Sequence, residues 1–419
     1  MKVLHINTLD YGGAAIAAVR IHNAMLESGI DSSFLSLKKT IPNITNHVVL
    51  PDYLNKTATN QTVSLKNYFK IKFNKDYKKY LKERNKKRVL KNLANKTNRE
   101  VISFPQTEFD LLHLVSEIKQ ADIIHLHWVA DFVDYPSFFR NIAKPIVWTL
   151  HDENPFRGIF HYAGDEETNS ETALKKADAE AYKLKKEAIE NAFKLHIITP
   201  SSWLANLSSN QEVFRKRQVT AVANGLDITI FKTFNKEFAR KVFNLPTDKK
   251  IALFVADSLS NRRKGFDLLV GALQKLENKK DILLVAIGNV PTNDRQENVK
   301  YIGSINDERV MALAYAAVDV FILPSREDNL PNTMIEALSC GTPIIGFPIG
   351  GIKETIQNEF NGYLCPELSV DALKNTIEMF FKNSCLFNSE EISADAHDKF
   401  DNKKQASKYV EIYNSLLTQ

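Results

Sequence analysis

Nine short apolar runs, at 3–6, 34–37, 123–126, 146–149, 196–199, 251–255, 282–287, 320–323 and 343–345, alternate along this chain with longer stretches of helical spacing. That alternation constrains the fold more than any other feature. Strands separated by helices are joined by crossovers, so they pair in parallel within sheets covered on both faces. The spacing predicts helices at 14–28, 171–193, 265–277, 307–317 and 332–340. Gly29 and Gly341 follow two of them, as expected where a helix ends in a left-handed residue. The runs fall into two sets near "VANGLDITIFK", 222–232, where a strand gives way to Asn224-Gly225. The expected architecture is α/β, with two Rossmann-like doubly wound domains, 1–226 and 227–399, and a terminal helix within 400–419 packing back on the first. Ligands bind such sheets at the carboxyl ends of the strands, so the expected active site is a cleft faced by both domains.

Composition narrows the class. A chain of 419 residues with 44% hydrophobic content fills two cores. Its three cysteines, Cys340, Cys365 and Cys385, form neither a disulfide framework nor paired metal-ligand spacing, which fits a reducing compartment. The opening Met1-Lys2 leads straight into a strand-like run, and no apolar stretch reaches the roughly 18 residues of a membrane span. A cytoplasmic location is expected. The net charge of +5 is uneven. Residues 66–100 carry 14 Lys and Arg against Asp76, Glu83 and Glu100, leaving the rest of the chain acidic. The basic character is therefore one local element and gives no reason to expect nucleic-acid binding. Within it Phe69, Phe73, Tyr77, Tyr80 and Leu81 share a helical stripe among lysines. That pattern suits an anionic membrane surface on the inner face, or equally packing of the aromatics on the first domain.

Chemistry concentrates in "PSREDNLPNTMIEALSCGTPIIGFPIGG", 324–351. A strand ends at Leu323-Pro324, Pro331 suits the start of a helix, and the amino end of that helix can hold an anion such as a phosphate. Asp328 and Glu336, eight residues apart, can meet one ligand from two sides, although a polar loop with a capping acid has the same composition. In "SLSNRRKGFDLL", Arg262, Arg263 and Lys264 sit between a strand and a helix, where cations can neutralise a diphosphate. Gly12-Gly13 in "HINTLDYGGAA" follow the first strand without completing a G-x-G-x-x-G fingerprint. His151 in "TLHDENPF" stands at a strand's carboxyl end, better placed for chemistry than His5, whose position inside a strand suggests packing. The histidines of "HLHW", 125–128, are open to metal binding, but no recognised ligand spacing supports it. Asp-x-Asp, the usual metal-diphosphate signature, is absent from the sequence.

Together "HINTLDYGGAA", "TLHD", "TPSSWLA", "VANGLD", "RKGFDLL", the 318–354 block and "NGYLC" resemble the retaining glycosyltransferases of family 4, which have the GT-B fold. The resemblance implies a nucleotide diphosphate sugar donor held by the C-terminal domain, a glycan or lipid-linked acceptor on the N-terminal side, and no cofactor or metal. It implies a place in bacterial surface polysaccharide synthesis. By it Glu336 is the second acid of the E-x7-E motif and meets the donor ribose. Asp328 takes the first acid position beside the sugar, with Glu327 as the alternative because the family residue is Glu. Asn329, Leu330 and Asn332 lie between the acids and join the donor-binding set. Lys264 matches the diphosphate-binding Lys; the Arg common six positions earlier in the family is Ser258 here, and Arg263 or Arg262 is the candidate replacement. His151 matches the strand-end His near the reacting sugar, and Gly12 and Gly13 match the loop that approaches donor and acceptor. Two alternatives stay open, a GT-B sugar-nucleotide epimerase and an inactive nucleotide-sugar-binding protein.

Overall fold

A computed structural model describes residues 1–50, 77–95, 102–168, 171–289, 296 and 298–418. The chain divides into two compact units: residues 1–199, 205–221 and 406–419 form the first, and 200–204 with 222–405 form the second. The division at 221/222 falls five residues before the expected one. Two differences from a simple two-segment division accompany it: 200–204 and 400–405 group with the second unit, and only 406–419 of the terminal segment group with the first. The reason is local pairing. Leu226 bridges to Asp401, and the N–H of Asn402 donates to the Leu226 carbonyl at 3.0 Å, tying 400–405 to the second unit. Ser201 Oγ donates to Asn329 at 2.6 Å and the Ser202 N–H to Glu354 at 2.9 Å, tying 200–204 to it.

The first unit is built on β1 (Lys2–Ile6), β2 (Asp31–Ser36), β3 (His47–Val49), β4 (Ile123–Leu126), β5 (Pro145–Thr149), β6 (Lys194–Thr199) and β7 (Gln218–Ala221). All pair in parallel in the order β3-β2-β1-β4-β5-β6-β7. Its principal helices are α1 (Gly13–Glu27), α2 (Tyr77–Asn95) and α3 (Thr172–Glu190). Interior strands are buried on both faces, as Ile123, Ile124, Ile146, Val147, Trp148, Ile197 and Ile198 illustrate. That is why they read as unbroken apolar runs rather than alternating ones.

The second unit carries β8 (Lys250–Ser258), β9 (Ile282–Asn289), β10 (Val299–Gly303), β11 (Val320–Leu323), β12 (Ile344–Gly346) and β13 (Gly362–Leu364), parallel in the order β10-β9-β8-β11-β12-β13. Its helices are α4 (Phe266–Gln274), α5 (Glu308–Ala316), α6 (Asn332–Ser339), α7 (Val370–Lys382) and α8 (Ser389–Phe400), and the chain closes with α9 (Asn402–Thr418). Successive strand residues point to opposite faces. Leu253 and Phe321 pack under α5, α6 and α8 with Met311, Tyr315, Ile335 and Ile392. Ala252, Phe254 and Ile322 pack under α4 and α7 with Leu269, Leu373, Ile377 and Phe380. Each sheet reverses its strand order at one point, between β1 and β4 in the first and between β8 and β11 in the second. In doubly wound sheets that reversal opens a crevice at the strands' carboxyl ends, where ligands bind.

The basic element is described in part. Phe69 and Phe73 and the side chains of Tyr77, Lys78, Lys79, Tyr80 and Leu81 lie outside the described residues. In the described half of α2, Leu90 and Ala94 are buried against Phe104, Phe160, Leu174, Ala177 and Ala181. Lys86 pairs with Glu180 at 3.3 Å, and Lys91 with Asp131 at 2.6 Å. Lys87 donates to the Gln106 carbonyl at 2.5 Å, and burial lowers its pKa. Arg84 and Arg88 remain exposed.

Candidate active site

In the second unit, the loops after β8 and β11 meet at the strand reversal. The short turn Arg262–Lys264 leads into α4 through Gly265, whose φ of +73° is a left-handed conformation that suits glycine. A Cβ there would run into the Pro324 carbonyl, so only glycine lets the two loops lie this close. Arg326 locks them together: its N–H donates to the Arg263 carbonyl at 2.8 Å, and its guanidinium forks onto Asp267 at 2.6 and 2.7 Å. Arg326 is thus a structural clamp.

Within this frame Lys264 Nζ lies 2.6 Å from Asp328 Oδ2 and Arg263 Nη1 lies 3.6 Å from the same oxygen. Ser325 Oγ donates to that oxygen at 3.3 Å. Burial works to raise the Asp328 pKa, but Lys264 and Arg263 outweigh it and hold the carboxylate below its usual range. Asp328 is therefore the acid in contact with the cations, while Glu327 offers its backbone carbonyl to Arg263 at 2.9 Å. Arg262 is exposed, and Ser258, at the position of the family Arg, bonds Ser260 at 2.8 Å.

The loop runs on into α6, whose N-cap is Pro331. The Asn329 side chain accepts from Ser201 Oγ at 2.6 Å, and its carbonyl accepts the N–H of Gly351 at 2.7 Å. Asn224 donates to the Leu330 carbonyl at 3.3 Å and to Asn332 Oδ1 at 3.1 Å. Glu336, almost fully buried on α6, accepts the Tyr315 hydroxyl at 2.9 Å. Sequence reasoning passed over Tyr315, Asn224 and Ser201. No spacing signals them, since each reaches the site only once separate segments stack.

The first unit presents a second polar assembly at the reversal between β1 and β4. Gly12, with φ +86°, is the N-cap of α1 and Gly13 its first residue. His151 follows β5, partly exposed, and burial pulls its pKa down to about 4 against the opposing charge of Asp152. Asp152 is held by the Trp128 indole N–H at 2.8 Å and by His161 at 2.6 Å. Buried Lys185 donates to the Asn154 carbonyl, Asn154 Oδ1 and the Gly158 carbonyl at 2.6 to 2.9 Å, pinning the turn behind His151. Burial lowers its pKa to about 7. His5 and His125 are register partners on adjacent strands, and with His127 they place ring nitrogens within 4.8 Å of one another. His5 packs internally, in keeping with its place inside a strand. His125 is held by Thr149 at 2.8 Å and by Tyr413 of α9 at 2.6 Å.

Residues 235–399 match the glycosyl transferases group 1 family. The chain is 26% identical over 259 residues to the D-inositol 3-phosphate glycosyltransferase of Mycolicibacterium smegmatis, an alignment covering 58% of this chain and 56% of that relative. It is 23% identical to the O-antigen biosynthesis glycosyltransferase WclY of Escherichia coli, covering 79% of this chain and 94% of WclY. Among solved structures it superposes on the sucrose-phosphate synthase of Thermosynechococcus elongatus with a TM-score of 0.68 at 17% identity, covering 100% of this chain and 99% of the other. Anabaena Alr3699/HepE in complex with UDP gives 0.64 at 16% identity, with coverage of 99% and 100%. These structures share the fold. Residues 235–399 are thus similar to the group 1 glycosyl transferases, and the chain as a whole has the two-domain GT-B fold.

Proposed function

We propose that this chain is a retaining glycosyltransferase that moves a sugar from a nucleotide diphosphate sugar to a glycan or lipid-linked acceptor in bacterial surface polysaccharide synthesis, without a metal or cofactor. The observation that carries the reading is the pairing of Lys264 and Arg263 with Asp328 at the strand reversal of the second unit, one turn before α6 and Glu336. Support for the donor class comes from Alr3699/HepE, solved with UDP and with UDP-glucose, and for the pathway class from WclY.

The donor-free site holds its cations against an acid. An arriving diphosphate takes over Lys264 and Arg263, and Asp328 then turns to the sugar hydroxyls. As the bond from the anomeric carbon to the diphosphate oxygen breaks, its electron pair leaves with the diphosphate, where Lys264, Arg263 and the amino end of α6 offset the charge. The acceptor hydroxyl bonds to the same carbon from the same face and passes its proton to the departing oxygen. No protein nucleophile is needed. Losing one charge-stabilising group of this kind costs about 3 kcal/mol in the barrier, roughly 100-fold in rate. The epimerase alternative draws no support from the second unit, where the acids at the strand reversal are committed to cations or a phenol.

The test is a panel of UDP, GDP and ADP sugars in thermal unfolding with chelator present. A matching donor at a hundredfold excess over its Kd adds about 2.7 kcal/mol of stability, a shift of roughly 5–10 °C for a unit of this size. Glu336→Ala should lose most of that shift, while Lys264→Ala should keep part of it and turn over roughly 100-fold more slowly. An α-linked donor should give an α-linked product by NMR. A β product, or activity abolished by chelator and restored by Mg²⁺, would refute the reading.

A further inference from the structure

Three histidines of the first unit form a line. His5 Nδ1 lies 2.9 Å from His127 Nε2, and His127 Nδ1 lies 3.2 Å from His151 Nε2. Burial, then neighbouring histidines, hold His5 and His127 well below the usual imidazole range, and burial holds His151 at about 4. All three rings are neutral at pH 7.

A neutral imidazole has one N–H and one lone pair. His127 therefore donates along one link and accepts along the other, so the protons of both links point the same way. Were they to point away from His151, the line would end in a buried Nε2–H on His5, and that nitrogen has no hydrogen-bond partner among the described residues. With the protons pointing toward His151, His5 Nε2 keeps a bare lone pair instead. Buried acceptors without a donor are tolerated more readily than buried donors without an acceptor. A metal at His5, His125 and His127 fits less well. Both ring nitrogens of His125 and of His127 are already engaged, and the group contains no carboxylate to offset a divalent charge.

We propose that His127, backed by His5, is a positioning residue that fixes His151 in its Nδ1–H tautomer, so that His151 meets a substrate sugar at the first unit as a hydrogen-bond donor. The step from tautomer to sugar rests on the function proposed above; the tautomer itself does not. The two therefore fail separately.

The experiment is long-range proton–nitrogen NMR on protein labelled with ¹⁵N-histidine at pH 7, with His151 assigned by its loss in His151→Gln. The parent protein should show a protonated Nδ1 and a lone pair on Nε2 at His151. His127→Phe should leave His151 a mixture of tautomers and slow transfer about 10- to 100-fold, by analogy with the loss of a group that orients a metal-ligating histidine. Donor affinity should change far less. His127→Asn, whose amide N–H falls where the Nδ1–H was, should restore the tautomer and most of the rate. An Nε2–H on His151 in the parent protein, an unchanged tautomer in His127→Phe, or one equivalent of tightly bound transition metal in the purified protein would overturn the proposal. If His127→Phe does not fold by circular dichroism, the parent spectrum and His127→Asn decide the matter.

Discussion

Lowering the pH from 7.5 to 5 should destabilise the first unit while leaving the second almost untouched. Nine of the ten histidines lie in the first unit, and the second holds His397 alone. Burial lowers His22 and His151 to about 4 and carries His5, His125 and His127 well below 6.5. In the unfolded chain each returns to about 6.5. A histidine depressed in the folded state contributes its full stability above the unfolded value, and that stability drains away as pH falls from 6.5 toward the folded value. At pH 5 an unfolded histidine is almost fully protonated while His22 and His151 remain mostly neutral in the native unit, so each of these two costs about 2 kcal/mol, and His5, His125 and His127 act in the same direction. His22 and His151 together approach about 4 kcal/mol, a large share of the roughly 5–15 kcal/mol that holds a typical domain together. Local opening lowers each share, because it lets a ring ionise more cheaply than full unfolding. Urea unfolding followed by tryptophan fluorescence measures it: in a Trp203→Phe background the remaining Trp128 and Trp148 both report the first unit. The expected result is a loss of about 4 kcal/mol or more between pH 7.5 and 5, with about two or more protons taken up on unfolding at pH 5. A loss below about 2 kcal/mol, the share of a single histidine, would refute the buried neutral cluster.

Tyr315→Phe removes the hydroxyl that Glu336 accepts, and a hydrogen bond to a carboxylate is worth about 1.5–3 kcal/mol, so affinity for the nucleoside diphosphate of the matching donor, by calorimetry, should fall roughly 10- to 100-fold. An unchanged Kd would detach Glu336 from nucleoside binding. Gly265→Ala forces a left-handed alanine and a Cβ into the Pro324 carbonyl, and should destabilise the second unit by roughly 2–4 kcal/mol in urea melts; a change within about 0.5 kcal/mol, the size of an ordinary surface substitution, would contradict that packing. For the basic element, Arg84→Glu with Arg88→Glu is the informative pair, since Lys86, Lys87 and Lys91 already have protein partners. At roughly 1 kcal/mol per basic residue, the parent should sediment with anionic but not neutral vesicles at low salt and the variant should bind at least tenfold more weakly; no parental binding would assign α2 to packing alone.

The limits of reading this fold from its sequence are physical. Interior strands such as β4, β5 and β11 announce themselves because both faces are buried, whereas the edge strands β3, β10 and β13 pass unnoticed. In β10 every residue from Val299 to Gly303 is only partly buried, so Lys300 and Tyr301 interrupt any apolar run. The site divides in the same way. Lys264, Asp328 and Glu336 are legible because spacing along one loop and one helix carries them. Which of Glu327 and Asp328 faces the cations depends on how the loop folds over Gly265, and Tyr315 reaches Glu336 only when α5 lies beside α6. The histidine line held a signal that residue-by-residue reading discards. His125 and His127 are two apart where β4 ends, a spacing that in extended chain puts both on one face. In a parallel sheet all carboxyl ends lie on one side, so His151 after β5 must come near His127 after β4. His5 joins them because β1 and β4 are neighbours across the strand reversal, a pairing no local pattern contains. Each histidine alone looks like a satisfied core residue, and their shared edge of the sheet makes them a chain with a direction.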